Sequence, residues 1–214
     1  MSSDHALRAS YDAVAEEYVR RISTELDGKP FDRALLDRFA GRLAGRGTVW
    51  DLGCGPGHVA RYLYDRGVTV AGLDLSAALV AWARKLHPGI PFAQGDFRRL
   101  PAADHDGAGI VAFYSILHLD RRAVTPTLLE WRRAIKPGGW LLLAAHIGEE
   151  VRHLDEWWGH KVDVDFTFFQ VPELVGYLEA GGWRIEEATE RDPYPDVEVA
   201  TRRVYILAEG RARR

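Results

Sequence analysis

Between residues 51 and 57 the chain reads Asp51-Leu52-Gly53-Cys54-Gly55-Pro56-Gly57, with glycines at three alternate positions. The segment before it, Thr48-Val49-Trp50-Asp51-Leu52, has the pattern of a buried strand. The segment after it, from His58 to about Arg66, has the pattern of a helix. A plain strand-to-helix turn is satisfied by a single glycine. Three of them let the backbone turn tightly and let a ligand approach where a Cβ would otherwise stand. In an open α/β sheet the carboxyl end of a strand, near the point where strand order reverses, is where ligands bind.

The rest of the chain supplies such a sheet. Val68 to Leu73 reads as a second strand ending at Asp74, and Ser76 caps a helix that runs to about Leu86. Ile90 to Ala93 is a short third strand and Gly107 to Tyr114 a fourth. A helix over Val124 to Ile135 and the turn Pro137-Gly138-Gly139 lead into a fifth strand, Trp140 to Ala145. Short apolar strands alternating with helices predict a parallel sheet covered on both faces. Upstream, Ser3 and Asp4 cap a helix that places Tyr11, Val14, Ala15 and Tyr18 on one face. Gly28-Lys29-Pro30 interrupts it, and a second helix carries Leu35, Leu36, Phe39 and Leu43 before Gly45 and Gly47. Downstream, His146 to Phe169 is irregular and rich in His, Trp and Phe. Pro172 to Ala180 is helical, Gly181-Gly182 stops it, and Trp183–Glu190 and Val199–Ala208 are strands joined by a Pro-rich loop.

The glycine spacing narrows the ligand. A dinucleotide fingerprint needs Gly-x-Gly-x-x-Gly, but His58 stands where the third glycine would fall; the Gly-Lys-Ser/Thr of a Walker loop is absent. Asp74, at the end of the second strand, is placed to accept hydrogen bonds from both ribose hydroxyls of a nucleoside, or else to cap the next helix, although Ser76 already serves there. In Gly95-Asp96-Phe97 the carboxylate is suited to the exocyclic amine of adenine and the ring to the face of the base; the alternative is a loop acid and a core aromatic.

A length of 214 residues fits one domain with a core that needs no disulfides, and 47% hydrophobic with 28% charged residues is a globular balance. A net charge of −3 provides no general basic field for nucleic acid. The tail Arg211, Arg213 and Arg214 reads as a frayed, solvated end. Cys54 is the sole cysteine, Met1 to Arg8 lack a signal-peptide apolar run, and no stretch approaches the ~18 apolar residues of a membrane span. A cytoplasmic protein with no membrane partner is expected.

Taken together, Asp51 to Gly57, Gly72-Leu73-Asp74-Leu75-Ser76, Gln94-Gly95-Asp96-Phe97 and Lys136-Pro137-Gly138-Gly139 resemble, in order and spacing, the motifs of class I S-adenosylmethionine-dependent methyltransferases. The resemblance covers roughly residues 8 to 145. It implies a Rossmann-like α/β methyltransferase fold: a seven-stranded, mostly parallel sheet with an antiparallel last strand, helices on both faces and an N-terminal helical lid. It implies that the loop Gly53, Cys54, Gly55 to Gly57 faces the methionine moiety of S-adenosylmethionine, that Asp74 holds the ribose, that Asp96 holds the adenine with Gly95 and Phe97 beside it, and that Asp51, His58, Leu75 and Ser76 also belong to the cofactor-binding set. Tyr11 and Tyr18 resemble the lid tyrosines of small-molecule members, whose other role is simply to pack the helix. One departure is Asp104-His105-Asp106-Gly107-Ala108, where many relatives carry an acid at the start of the fourth strand; it leaves the binding motifs intact.

Displacement at a sulfonium needs positioning and exclusion of water more than a fixed catalytic signature. Tyr114-Ser115-Ile116-Leu117-His118 follows the fourth strand beside the expected methyl donor, with Tyr114 at the cofactor. His118 is the first candidate for a base or an acceptor-orienting group, and His146 the second; each is equally readable as a structural histidine. His153, His160, Trp157 and Trp158 fall in the irregular segment, as the roof of an acceptor pocket or as a satellite core. No metal site is expected, since His146, His153 and His160 lack a recognised ligand spacing. Arg202-Arg203 suits an acidic acceptor or a solvated strand edge.

The expected organisation is a single methyltransferase domain over 1–214: a lid over 1–46, a cofactor core over 47–146, an acceptor-pocket insert over 147–171 and a final helix and strands over 172–208. The expected activity is methyl transfer from S-adenosylmethionine, yielding S-adenosylhomocysteine, to an O, N or C atom of a small molecule with apolar or planar surface. The alternatives are an S-adenosylmethionine-binding cyclase or decarboxylase, a non-catalytic cofactor-binding module and, more remotely, a nicotinamide dehydrogenase.

Overall fold

The computed structural model describes residues 3–211, so Met1, Ser2 and the tail residues Arg213 and Arg214 lie outside the described residues. The chain opens with α1 (Asp4–Ile22), whose first turn is capped by the Ser3 hydroxyl accepting from the Ala6 N–H at 3.1 Å. A single 3₁₀ turn (Glu25–Gly28) leads into α2 (Pro30–Leu43), where proline occupies the first helical position. Then come β1 (Thr48–Leu52), α3 (His58–Tyr64), β2 (Thr69–Asp74), α4 (Ala77–Leu86), β3 (Phe92–Gln94) and β4 (Gly107–Phe113). The second half holds α5 (Arg121–Ala134), β5 (Ile135–His146), β6 (Val151–Trp157), β7 (His160–Thr167), α6 (Val171–Ala180), β8 (Trp183–Arg191) and β9 (Arg203–Gly210).

Seven strands form one sheet in the order β3-β2-β1-β4-β5-β9-β8. β1 pairs in parallel with β2 on one side and β4 on the other, so the strand order reverses between β1 and β4. β9 runs antiparallel to both β5 and β8, as the sequence motifs imply. Alternate strand residues serve two cores. Val49, Val111, Leu142 and Leu207 pack with α2, α3 and α4, whereas Leu52, Ile110, Leu141 and Ile206 pack with α5 and α6. The period-two alternation of a strand buried on both faces thus accounts for the continuous apolar runs in the sequence.

Two large indoles anchor the second core, and each satisfies its N–H. Trp131 donates to the Phe97 carbonyl at 2.9 Å, and Trp183 donates to that of Leu128 at 3.1 Å. The Trp131 bond fixes the segment after β3 to the body of the fold. Among the described residues no helix is long and apolar enough to cross a membrane.

The structure differs from the sequence reading at several bounds: β5 begins at Ile135 rather than Trp140 and takes in Pro137-Gly138-Gly139, expected as a tight turn, and three further differences have a visible cause. The segment expected to be irregular after His146 is a β-hairpin, β6 with β7, forming a two-stranded sheet of its own. Its turn, Trp158-Gly159, has φ of 54° and 82°; a tryptophan in the left-handed region is not a residue that advertises a hairpin. The last strand begins at Arg203 rather than Val199, because Val199 to Arg202 forms a loop and Arg203 turns inward to meet Glu198 at 3.1 Å. Helix α5 begins at Arg121, three residues before the Val124 expected from the apolar pattern, because Asp120 caps it by accepting from the Arg122 N–H at 2.8 Å.

Candidate functional site

The turn after β1 lies at the carboxyl edge of the sheet, where the strand order reverses. Gly53 has φ +72°, and a Cβ there would stand 2.4 Å from the Ser115 Cβ; only glycine fits this crossing of two loops. Gly55 has φ +51° and faces the Tyr18 ring, which a Cβ would meet at 3.5 Å. Gly57 forms the N-terminal cap of α3. Below the turn, the buried Asp51 carboxylate accepts from the Ala60 N–H at 3.0 Å, and burial pushes its pKa up to about 7. Cys54 is buried, and burial raises its thiol well above the ordinary range.

Asp74 closes the turn from the neighbouring strand. One of its oxygens accepts from the Gly55 N–H at 2.8 Å and the other from the Ser76 N–H at 2.9 Å, and burial pushes its pKa upward. Each oxygen keeps a lone pair for a further donor. Asp74, Leu75, Ser76, Gly95, Asp96 and Phe97 line one cavity, bringing together the two acidic motifs that the sequence reading singled out. Burial opposes ionisation of Asp96, but hydrogen bonds from the Arg98 side chain and backbone outweigh it and hold the carboxyl below its usual range. The Phe97 ring is half-buried, edge-on to Trp131 at 5.7 Å between centroids.

Helix α1 lies across this edge and is tied down at four points. Asp12 accepts from the Ser76 hydroxyl at 2.5 Å and from the Ala78 N–H at 3.0 Å, at the start of α4. Asp4 pairs with Arg98. The Ser10 hydroxyl accepts from the Asp163 N–H of β7 at 2.8 Å. The fourth tie is the Tyr11 phenol, 2.8 Å from Nε2 of His118. The other ring nitrogen of His118, Nδ1, lies 3.2 Å from the Asp165 carbonyl. A carbonyl only accepts, so Nδ1 carries the proton and Nε2 accepts from Tyr11. Burial pushes His118 down to about 4, which keeps it neutral.

A second, larger cavity of about 700 Å³ adjoins the first. Tyr11, Tyr18, Gly53, Gly55, Phe113 and Tyr114 line both. The hairpin contributes Trp157 and Trp158, whose rings meet those of Tyr11 and Tyr18 edge-on or tilted at 5.5 to 6.1 Å, and Phe166, whose ring meets His118 at 5.1 Å. His146 lines this cavity between the rings of Tyr114 at 5.0 Å and Phe168 at 5.4 Å, with Nδ1 2.8 Å from the Thr201 hydroxyl. Burial, followed by the charges of Arg203 and Lys29, pushes its pKa down to about 3. His153 is exposed and pairs with Asp165 at 3.0 Å, and His160 is exposed at the hairpin turn; neither lines a cavity wall with His146. Among the described residues no group of three or more His, Cys, Asp and Glu side chains is arranged to hold a metal ion.

Tyr114 has φ +55°, an uncommon backbone state for a bulky residue, at the junction of the two cavities. Its phenol donates to Tyr205 at 2.8 Å, because the Tyr205 proton is directed to Asp32 at 2.9 Å. The sequence reading missed Asp12, Glu25 and Lys29, and Arg203, read there as suited to an acidic acceptor or a solvated strand edge, is buried against Glu198. Asp12 directly follows Tyr11, so its place on the helix was visible; its partner at Ser76 was not. The buried Ser115 hydroxyl, beside Gly53, has no hydrogen-bond partner within the fold, so the loop presents an unsatisfied polar atom to whatever enters the first cavity.

Residues 49–139 match the family described as Methyltransferase domain. The chain is 35% identical over 152 residues to a malonyl-acyl-carrier-protein O-methyltransferase of Pectobacterium atrosepticum, a match covering 70% of this chain and 59% of that one. It is 32% identical over 150 residues to a dTDP-3-amino-3,6-dideoxy-alpha-D-glucopyranose N,N-dimethyltransferase of Streptomyces fradiae, covering 70% of this chain and 51% of the relative. The chain thus spans little more than half the length of these relatives. Its fold is similar to that of an S-adenosylmethionine-dependent methyltransferase from Methanosarcina mazei, with a TM-score of 0.73 at 16% identity over 81% of this chain and 96% of the other.

Proposed function

We propose, from its similarity to class I S-adenosylmethionine-dependent methyltransferases, that the chain is an enzyme of that family and methylates an O, N or C atom of a small-molecule acceptor held in the larger cavity. The observation that carries this reading is the junction of two cavities at Tyr11, Tyr18, Gly53, Gly55, Phe113 and Tyr114. One cavity gathers the nucleoside-type acids and the other is walled by aromatic rings, so a donor in the first meets an acceptor in the second at a single place.

When bound, S-adenosylmethionine supplies a methyl group on a sulfonium whose leaving group is a neutral thioether. On this reading, Asp74 accepts from the ribose hydroxyls with its remaining lone pairs, Asp96 accepts from the adenine amine, and Phe97 flanks the base. The orphaned Ser115 hydroxyl gains a partner. Helix α1 acts as a lid, and the rings of Tyr11 and Tyr18 exclude water from the junction, where their faces also attract a cation. Residues 147–171 form the roof of the acceptor pocket.

His118 and His146 act here by position. A general base works best with a pKa near the operating pH, and these two sit at about 4 and about 3. Both nitrogens of His118 are engaged, so it latches the lid and the hairpin. His146 presents a neutral, stacked ring to the acceptor. The aromatic walls favour an acceptor with planar or apolar surface, and rate enhancement comes mainly from alignment and dehydration.

The test is to incubate the purified protein with S-adenosylmethionine and fractionated small-molecule extracts, and to measure S-adenosylhomocysteine and methylated product by mass spectrometry. Stoichiometric appearance of both supports the reading. Chemical conversion of a substrate without S-adenosylhomocysteine moves the enzyme to the cyclase or decarboxylase class, and methylation confined to bulk RNA or protein removes the small-molecule acceptor.

A further inference from the structure

The far wall of the larger cavity carries a charged cluster that neither the glycine turn nor the acceptor roof uses. Glu25 and Lys29 come from the 3₁₀ turn after α1 and the residue that follows it, and His58 opens α3. The Glu25 carboxylate lies 2.9 Å from His58 Nε2 and 2.6 Å from Lys29 Nζ. All three residues line the cavity together with Gly53 and Gly55.

The Glu25 carboxylate joins the other two side chains. Burial opposes the charge on Glu25, but the His58 and Lys29 bonds hold its pKa down at about 2, so it accepts only. His58 therefore donates from Nε2. Its other nitrogen, Nδ1, is buried and has no partner within the fold, although the imidazole borders the cavity. Lys29 has three N–H donors; Glu25 takes one, and Glu198 lies 3.5 Å away. The cluster thus offers an anion, an unpartnered imidazole nitrogen and a cation with spare donor capacity within one small volume. That is the complement of an amino-acid zwitterion.

Its position matches as well. The Tyr18 ring stands against Gly55, and both Asp74 and Glu25 are close enough to raise its pKa further beyond the effect of burial. One aromatic ring therefore separates the nucleoside acid from the charged cluster. A ligand whose ribose rests on Asp74 and whose chain crosses the bare Gly53–Gly55 backbone ends at Glu25.

Resting on the methyl-donor reading above, we propose that Glu25, His58 and Lys29 are the receptor for the amino-acid end of the donor, with Glu25, oriented by His58, taking the ammonium group and Lys29 the carboxylate. The 3₁₀ turn then makes the chain select the intact amino-acid nucleoside over its fragments.

The test is calorimetric and needs no acceptor. S-adenosylhomocysteine and 5′-methylthioadenosine share nucleoside and sulfur, but only the first has the amino-acid end. Wild-type protein is expected to bind S-adenosylhomocysteine at least about tenfold more tightly, and Glu25→Gln to erase about tenfold of that affinity while leaving 5′-methylthioadenosine within about twofold. Loss of both affinities alike in a Glu25→Gln protein that melts like wild type, or loss of neither, overturns the proposal. Because Glu25 is buried, wild-type protein is also titrated with the decarboxylated and deaminated analogues of S-adenosylhomocysteine. Each is expected to bind about tenfold more weakly than the parent, and equal binding of the analogues overturns the proposal without any variant. If wild-type protein binds neither S-adenosylhomocysteine nor 5′-methylthioadenosine, the methyl-donor reading itself fails; equal binding of the two sinks only the receptor assignment.

Discussion

Tyr11 and His118 meet across 2.8 Å as donor and acceptor, one on the first helix and the other after the fourth strand. Because the opposite nitrogen of His118 donates to the Asp165 carbonyl on the hairpin, a single imidazole holds helix, sheet edge and hairpin together. The bond is neutral throughout, since burial keeps His118 at about 4.

Tyr11→Phe removes that donor and leaves the buried Nε2 without a partner, a change of about 1–2 kcal/mol. The expected outcome is a severalfold faster release of S-adenosylhomocysteine with little change in association. Stopped-flow fluorescence of the nearby tryptophans measures both rates; an unchanged release rate removes the latch role.

Asp74→Ala is expected to lower affinity for S-adenosylmethionine by at least about tenfold, the scale of a lost charge-assisted hydrogen bond. It also releases the N–H groups of Gly55 and Ser76. Titration calorimetry together with a thermal melt separates lost binding from a loosened turn. Unchanged affinity would show that Asp74 does not hold the ribose.

Gly53→Ala meets Ser115 at 2.4 Å from a backbone in the left-handed region. Strain and clash together are expected to destabilise the fold by about 1–3 kcal/mol and to abolish donor binding. Urea denaturation of the variant checks the first part and calorimetry the second.

The two buried histidines make a prediction about acid. Burial is the first cause of lowering in each, and they are pushed from 6.5 to about 4 for His118 and about 3 for His146. The unfolded chain regains ordinary histidines, so below about pH 6.5 it binds more protons than the folded one and stability falls with pH. Above that pH their contribution is fully present. Asp51, raised by burial to about 7, works in the opposite direction and is unchanged by substitution at the histidines. Between about pH 7 and pH 5, His118→Gln and His146→Gln are each expected to lose about 1–2 kcal/mol less stability than wild type. Denaturation curves across that range decide the matter, and parallel pH profiles would mean the histidines are not buried as neutral groups.

The parts of the site legible in the sequence are those whose cause is local. The turn Asp51 to Gly57 announces itself because left-handed backbone and close approach both demand glycine, and Asp74 and Asp96 are found by counting to the ends of strands. The hairpin was not legible: β6 alternates weakly, with most of its residues exposed, and the turn uses Trp158 in a state that most turns give to Asn or Gly. Arg203 reads as a surface charge beside Arg202, yet it is buried because Glu198 receives it. Glu25 and Lys29 sit in a short turn with no pattern at all, and their meaning comes from His58 across the cavity. The hairpin and the Glu25–His58 pair depend on partners brought close by the fold, whereas Arg203 and Lys29 meet acids only five and four residues away, across turns without a periodic pattern.

The hairpin shares no strand pairing with the seven-stranded sheet, and it is held against the body through Ser10, His118 and Leu119. The register of the large sheet therefore does not depend on the hairpin's side chains that face the larger cavity. On the proposed reading, the wall around the acceptor can change shape with the hairpin's Trp157, Trp158 and Phe166 while the edge that carries the glycine turn keeps its own hydrogen bonds.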